Sequence, residues 1–148
     1  MSHPVINCVL LADRHHGLTE AVRGLLETTF EAVVMVADET SLLETAKRVQ
    51  PTLAVVDLSL ARGESLQWLL RLRSSCPNLK LILLSVHDEP TVRHAAIEAG
   101  ADGFVVKRDI ATELLPAVDA VLAGKSLVAS GSTEPSQPGG SKQNGRNP

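Results

Sequence analysis

The chain has 148 residues, enough for one domain with a sizeable core, and 44% of them are hydrophobic. With two Phe, one Trp and no Tyr that core must be aliphatic, and a net charge of −3 provides no basic footprint for nucleic acid. Cys8 and Cys76 lack CxxC spacing and read as reduced thiols; the start MSHPVINCVLLADRH has no basic n-region, and no apolar run approaches the ~18 residues that cross a bilayer, so a soluble, cytoplasmic chain without a membrane partner is expected.

The first apolar run, Val5–Ala12, ends at Asp13 and reads as a strand buried on both faces. Leu18, Ala21, Val22, Leu25 and Leu26 then fall on one helical stripe. A second strand, Val33–Ala37, precedes a stripe of Leu42, Leu43, Ala46 and Val49 that Pro51 stops. The third strand, Leu53–Val56, precedes Leu66, Leu69, Leu70 and Arg73, with Pro77 beyond. Leu79–Leu84 is the fourth, followed by Val92, Ala95, Ala96 and Ala99. Gly100 stands just past that helix, where a left-handed residue is wanted. Phe104–Val106 is the fifth, followed by Leu114, Leu115, Val118, Val121 and Leu122, closed by Gly124. From residue 130 the sequence is SGSTEPSQPGGSKQNGRNP, in which Gly, Pro and Ser fill 11 of 19 positions. Nothing there can offset the entropy of ordering the backbone, so 130–148 is expected to be a flexible tail or linker.

Five strand–helix repeats predict an α/β fold, a doubly wound (βα)5 parallel sheet. Of the common orders, the flavodoxin-like 2-1-3-4-5 suits five units, and it places ligands beyond the carboxyl ends of the strands. Those ends carry Asp13, Asp57, Ser85 and Lys107. Singly, each has a plain role as a turn former, a cap or a solvated charge. Together, a carboxylate nucleophile, a hydroxyl and an ammonium group suit transfer of a phosphoryl group to an aspartate.

The motifs LLADRHHGLTEAVRGLLE, PTLAVVDLSLARGESLQWLLRLR, LKLILLSVHDEP and AGADGFVVKRD resemble the receiver domain of two-component response regulators. The nearest likeness is to the LuxR/NarL-like subtype that precedes a helix-turn-helix output domain. The resemblance covers roughly residues 4–126, and the spacings of 44, 28 and 22 residues between the four site residues agree with it. It implies that Asp57 is the phosphoacceptor, that Asp13, Asp57 and the Ser59 backbone carbonyl hold Mg2+, and that Ser85 and Lys107 contact the phosphoryl oxygens. Ser85 and Phe104 would form the switch, with Val86 and His87 in the mobile loop after the fourth strand. A histidine kinase or phosphotransfer protein would be the donor, and an output partner or second copy would dock on about residues 91–123. Such a chain is a signalling domain, not an enzyme, beyond accepting phosphate from small donors and losing it again.

The departures cluster at one turn. The family usually has a second acid after the first strand, a direct Mg2+ ligand, and here that position is Arg14. The substitution shifts the pocket charge by two units and should weaken Mg2+. Ala61 and Arg108, each where Pro is common, are minor departures. Arg14 has three courses open: outward to solvent, inward as a bidentate partner of Asp57, or a tolerated fault where phosphorylation no longer matters. His15 and His16 are sequence neighbours, which rarely share one metal ion. A phosphorylation-independent interaction module is therefore the alternative function. A flavin-binding relative would need a phosphate-cradling loop after the first strand, and a dehalogenase-type phosphatase an Asp at position 59. With no helix-turn-helix in the sequence, no DNA binding by this chain is expected.

Overall fold

The computed structural model describes residues 8–14, 16–60, 67–87, 89–124 and 127–128. The expected strand start at Val5, the positions of His15, Ala61 and Leu66, the side chains of His16 and Leu18, and the 130–148 segment lie outside the described residues.

Five strands, β1 (Cys8–Ala12), β2 (Ala32–Val36), β3 (Leu53–Asp57), β4 (Lys80–Ser85) and β5 (Gly103–Val106), alternate with five helices. The helices are α1 (His16–Leu26), α2 (Glu39–Val49), α3 (Gln67–Ser75), α4 (Pro90–Glu98) and α5 (Ile110–Leu122). The strands are parallel in the order β2-β1-β3-β4-β5, as expected. A two-residue strand, β6 (Leu127–Val128), pairs in parallel with β5 and sets Leu127 opposite Gly103. It falls beyond the expected domain end at residue 126, because two residues carry no readable period.

Alternation along each strand feeds two cores. Leu10, Ala54, Val56, Leu81, Leu83 and Phe104 pack under α2, α3 and α4, whereas Val9, Leu11, Val55, Ile82 and Val105 pack under α1 and α5. Asp38 caps α2 by accepting the Ser41 N–H at 2.8 Å. Gly100, at φ +112°, turns the chain out of α4 as its position predicts.

The third helix departs from expectation. Leu70 was expected on the buried stripe but is 50% exposed; Trp68, Leu69 and Leu72 point inward instead. Bulk decides this, since Trp68 is the largest fully buried side chain and sits one position off the leucine pattern. Its indole Nε1 has no hydrogen-bond partner among the described residues. Trp68→Ala is therefore expected to cost about 4 kcal/mol, the cavity range for a buried aromatic. Trp68→Phe should cost below ~1.5 kcal/mol, because the smaller ring also removes an unsatisfied buried N–H. Urea unfolding of both variants measures the difference.

Candidate functional site

Parallel strands bring their carboxyl ends to one edge. Asp13 follows β1, Asp57 ends β3, Ser85 ends β4, and Lys107 follows β5 at the start of the 3-10 turn Lys107–Asp109. Asp13, Asp57 and Ser85 are all buried. Lys107 Nζ lies 2.6 Å from Asp57 Oδ2 and 3.6 Å from Asp13 Oδ2, so the sequence-expected acids and amine form one cluster.

Asp57 is held on both oxygens. Oδ1 accepts the Ser59 N–H at 3.0 Å, and Oδ2 accepts the Ser59 hydroxyl at 2.9 Å as well as Lys107. Burial pushes its carboxyl up, but the Lys107 ammonium, the Ser59 N–H, the hydrogen-bonded Asp13 side chain and the Ser59 hydroxyl together hold it below the usual carboxylate value. Asp57 is thus an ionised, oriented carboxylate. The hydroxyl of Ser59 was missed in sequence; the Asp-x-Ser spacing of a self-bonded turn is the signal that could have found it.

Arg14 follows neither of the geometric courses open to it from sequence. Although the residue is exposed, its Nη1 donates to the backbone carbonyl of Ser59 at 3.2 Å. Lys107, which follows β5, is the cation in contact with Asp57, at 2.6 Å. The expected bidentate Arg14–Asp57 geometry gives way to a side chain lying along the rim.

Ser85 stands at the same edge, with its Oγ accepting the His87 N–H at 2.9 Å. Phe104 is fully buried, and the Arg93 guanidinium of α4 lies 5.6 Å from its ring centroid. Val86 and His87 are exposed, with His87 Nδ1 3.7 Å from Glu89. Arg108 is exposed, its Nε 4.0 Å from Asp109. Among the described residues no group of three His, Cys, Asp or Glu side chains could hold a metal, and no helix is long and apolar enough to cross a membrane. A separate groove of about 330 Å3, lined in part by Pro51, Thr52, Cys76 and Leu79, lies at the amino ends of β3 and β4, away from this cluster.

Comparison with known proteins agrees with the geometry. Residues 9–119 match the family model described as the response regulator receiver domain. A Pseudomonas aeruginosa protein named as a transcriptional regulator is 35% identical over 117 residues, covering 78% of this chain and 56% of its own length. The chain spans just over half the length of that relative and of the next ones it matches. Among solved structures, a LuxR-family two-component response regulator from Aurantimonas superposes with a TM-score of 0.76 at 26% identity, covering 85% of this chain and 91% of that one. The signal receiver domain of NarL from Mycobacterium tuberculosis gives 0.72 at 28% identity, covering 82% and 100%. With five parallel strands in the shared order and a family match over most of its length, this chain belongs to the receiver domains of two-component response regulators.

Proposed function

We propose that the chain is a phosphorylation-operated switch whose acceptor is Asp57. The observation that carries this reading is the Lys107–Asp57 pair at 2.6 Å, an ionised carboxylate beside a cation able to follow its charge onto a phosphoryl group. An Asp57 oxygen attacks the phosphorus of a phosphohistidine on a histidine kinase or phosphotransfer protein. The P–N bond breaks, its electron pair stays on the imidazole, and that ring takes its proton from water. The new charge draws the Ser85 hydroxyl away from the His87 N–H, and the shift passes to Phe104 on the neighbouring strand. An output partner or a second copy reads the surface over about 91–123, where Arg93 covers Phe104.

The name of the Pseudomonas relative supports a gene-regulatory output for a whole protein of this type, and membership of the response-regulator family supports a cytoplasmic place. In this reading residues 4–126 are the receiver and 130–148 a tail or linker. The domain is not an enzyme beyond taking phosphate from small donors and losing it by hydrolysis.

Receiver domains typically use Mg2+, which when bound neutralises phosphoryl oxygens. Of the ligands the family would use, Asp13 and Asp57 face Lys107, and the Ser59 carbonyl already accepts from Arg14, which itself stands in the place of an acid. The set fits a divalent cation poorly, and Mg2+ is read as weakly held at most. The same Arg14 contact favours the second reading, an interaction module that keeps one conformation without phosphate. Incubation with acetyl phosphate, followed by intact mass and amide spectra, separates the two. One added phosphoryl group with a shifted Ser85 amide is expected; an unchanged mass and spectrum would leave the module reading.

A further inference from the structure

We infer that Arg14 is the resident counter-cation of this pocket, so that the site receives a phosphoryl anion without a divalent metal. Arg14 Nη1 occupies the Ser59 carbonyl, a hard oxygen that a cation at this edge would otherwise take, while Lys107 Nζ occupies the space between the two acids. The formal charges of Asp13, Asp57, Lys107 and Arg14 cancel when both acids are ionised, and a proton shared between the acids makes the sum positive. In neither state is there a negative excess to draw in a cation that gives up its hydration shell reluctantly. An anion meets the opposite situation. When Asp57 gains a phosphoryl group, the cluster acquires negative charge at the oxygen that Lys107 already touches. Arg14, exposed and attached through one carbonyl contact, is free to swing from that carbonyl to the phosphoryl oxygens. Its planar fork suits two of them at once.

This inference rests on the phosphoacceptor reading only for its second half, and the experiment separates the halves. Binding of Mn2+ is measured by electron paramagnetic resonance in the wild type, Arg14→Asp and Arg14→Ala. Arg14→Asp changes the pocket by two charges and is expected to bind Mn2+ at least ~10-fold more tightly than the wild type. Arg14→Ala should fall between them. In parallel, labelling by acetyl phosphate is followed by intact mass in Mg2+ and in EDTA. The wild type is expected to label within about twofold in the two conditions, whereas Arg14→Asp should need Mg2+ by ~10-fold or more. Wild-type Mn2+ affinity equal to that of Arg14→Asp would overturn the counter-cation assignment, whatever the labelling result. Wild-type labelling that collapses in EDTA would overturn the metal-free step. An absence of labelling in both conditions would remove the phosphoacceptor reading and with it the metal-free step, and the Mn2+ comparison would still decide what Arg14 does.

Discussion

Asp57→Asn is expected to abolish labelling by acetyl phosphate, by ~100-fold or more, because an amide oxygen is not a nucleophile toward phosphorus and its neighbours cannot make it one. The same change should also cost about 2 kcal/mol of stability, for a reason visible in the hydrogen bonds. Both carboxylate oxygens of Asp57 accept: Oδ1 from the Ser59 N–H, Oδ2 from the Ser59 hydroxyl and the Lys107 ammonium. Asn has one acceptor and one donor, so either orientation of its amide points N–H groups at another donor. Intact mass after exposure to acetyl phosphate reads the first effect and urea unfolding the second. Labelling that persists in Asp57→Asn would move the acceptor to another residue.

Lys107→Met is expected to lose roughly 3 kcal/mol near neutral pH, because removing the cation in contact with Asp57 leaves the buried acids with an excess negative charge. The Lys107 side chain is only 8% exposed and the Asp57 side chain only 2%, so solvent screening gives little relief. The pH dependence should also change sign. In the wild type the Asp57 carboxyl lies below its ordinary value. Its contribution is therefore present above the unfolded value of ~3.9 and lost as pH falls through the folded one. Without Lys107 the largest lowering influence is gone while burial, the largest influence of all, remains, so the carboxyl is expected to rise in the variant. The folded state then binds more protons than the unfolded one, and stability rises as pH falls. Unfolding free energies near pH ~7 and pH ~5 should thus converge toward the wild type at the lower pH. A variant whose deficit is the same at both would place the cost in lost packing of the lysine stem.

How much of this was legible follows from where each signal is stored. Strands β1 to β5 are buried on both faces, so their apolar runs stand out against polar turns, and the sheet order then delivers Asp13, Asp57 and Lys107 to one edge. The faces of the helices were less legible: Leu70 satisfies the helical period yet points outward, because Trp68, two positions earlier, fills the space under α3 together with Leu69 and Leu72. Arg14 was legible as a departure but not in its placement. Its partner is a main-chain oxygen 45 residues away, and backbone carbonyls leave no mark in a sequence. Arg93 went unremarked for a related reason, since a cation over an aromatic ring depends on how α4 lies against β5.

At the other end of the sheet, α3 sends Arg73 across to the carbonyls of Leu79 and Gly100 and to the Asp102 carboxylate at 2.8 Å. Asp102 in turn accepts the Leu81 N–H at 2.9 Å, so one guanidinium ties together a helix, the start of β4 and the turn before β5. A Cβ at Gly100 would stand 3.3 Å from Arg73 Nε, which leaves little slack in the tie. The tie joins β4 and β5 to α3 and to each other at their amino ends. A charge added at the carboxyl edge would act on the strand ends that this tie leaves unheld. Any response is expected at their carboxyl tips, Ser85 and Val106, and in the segments that follow.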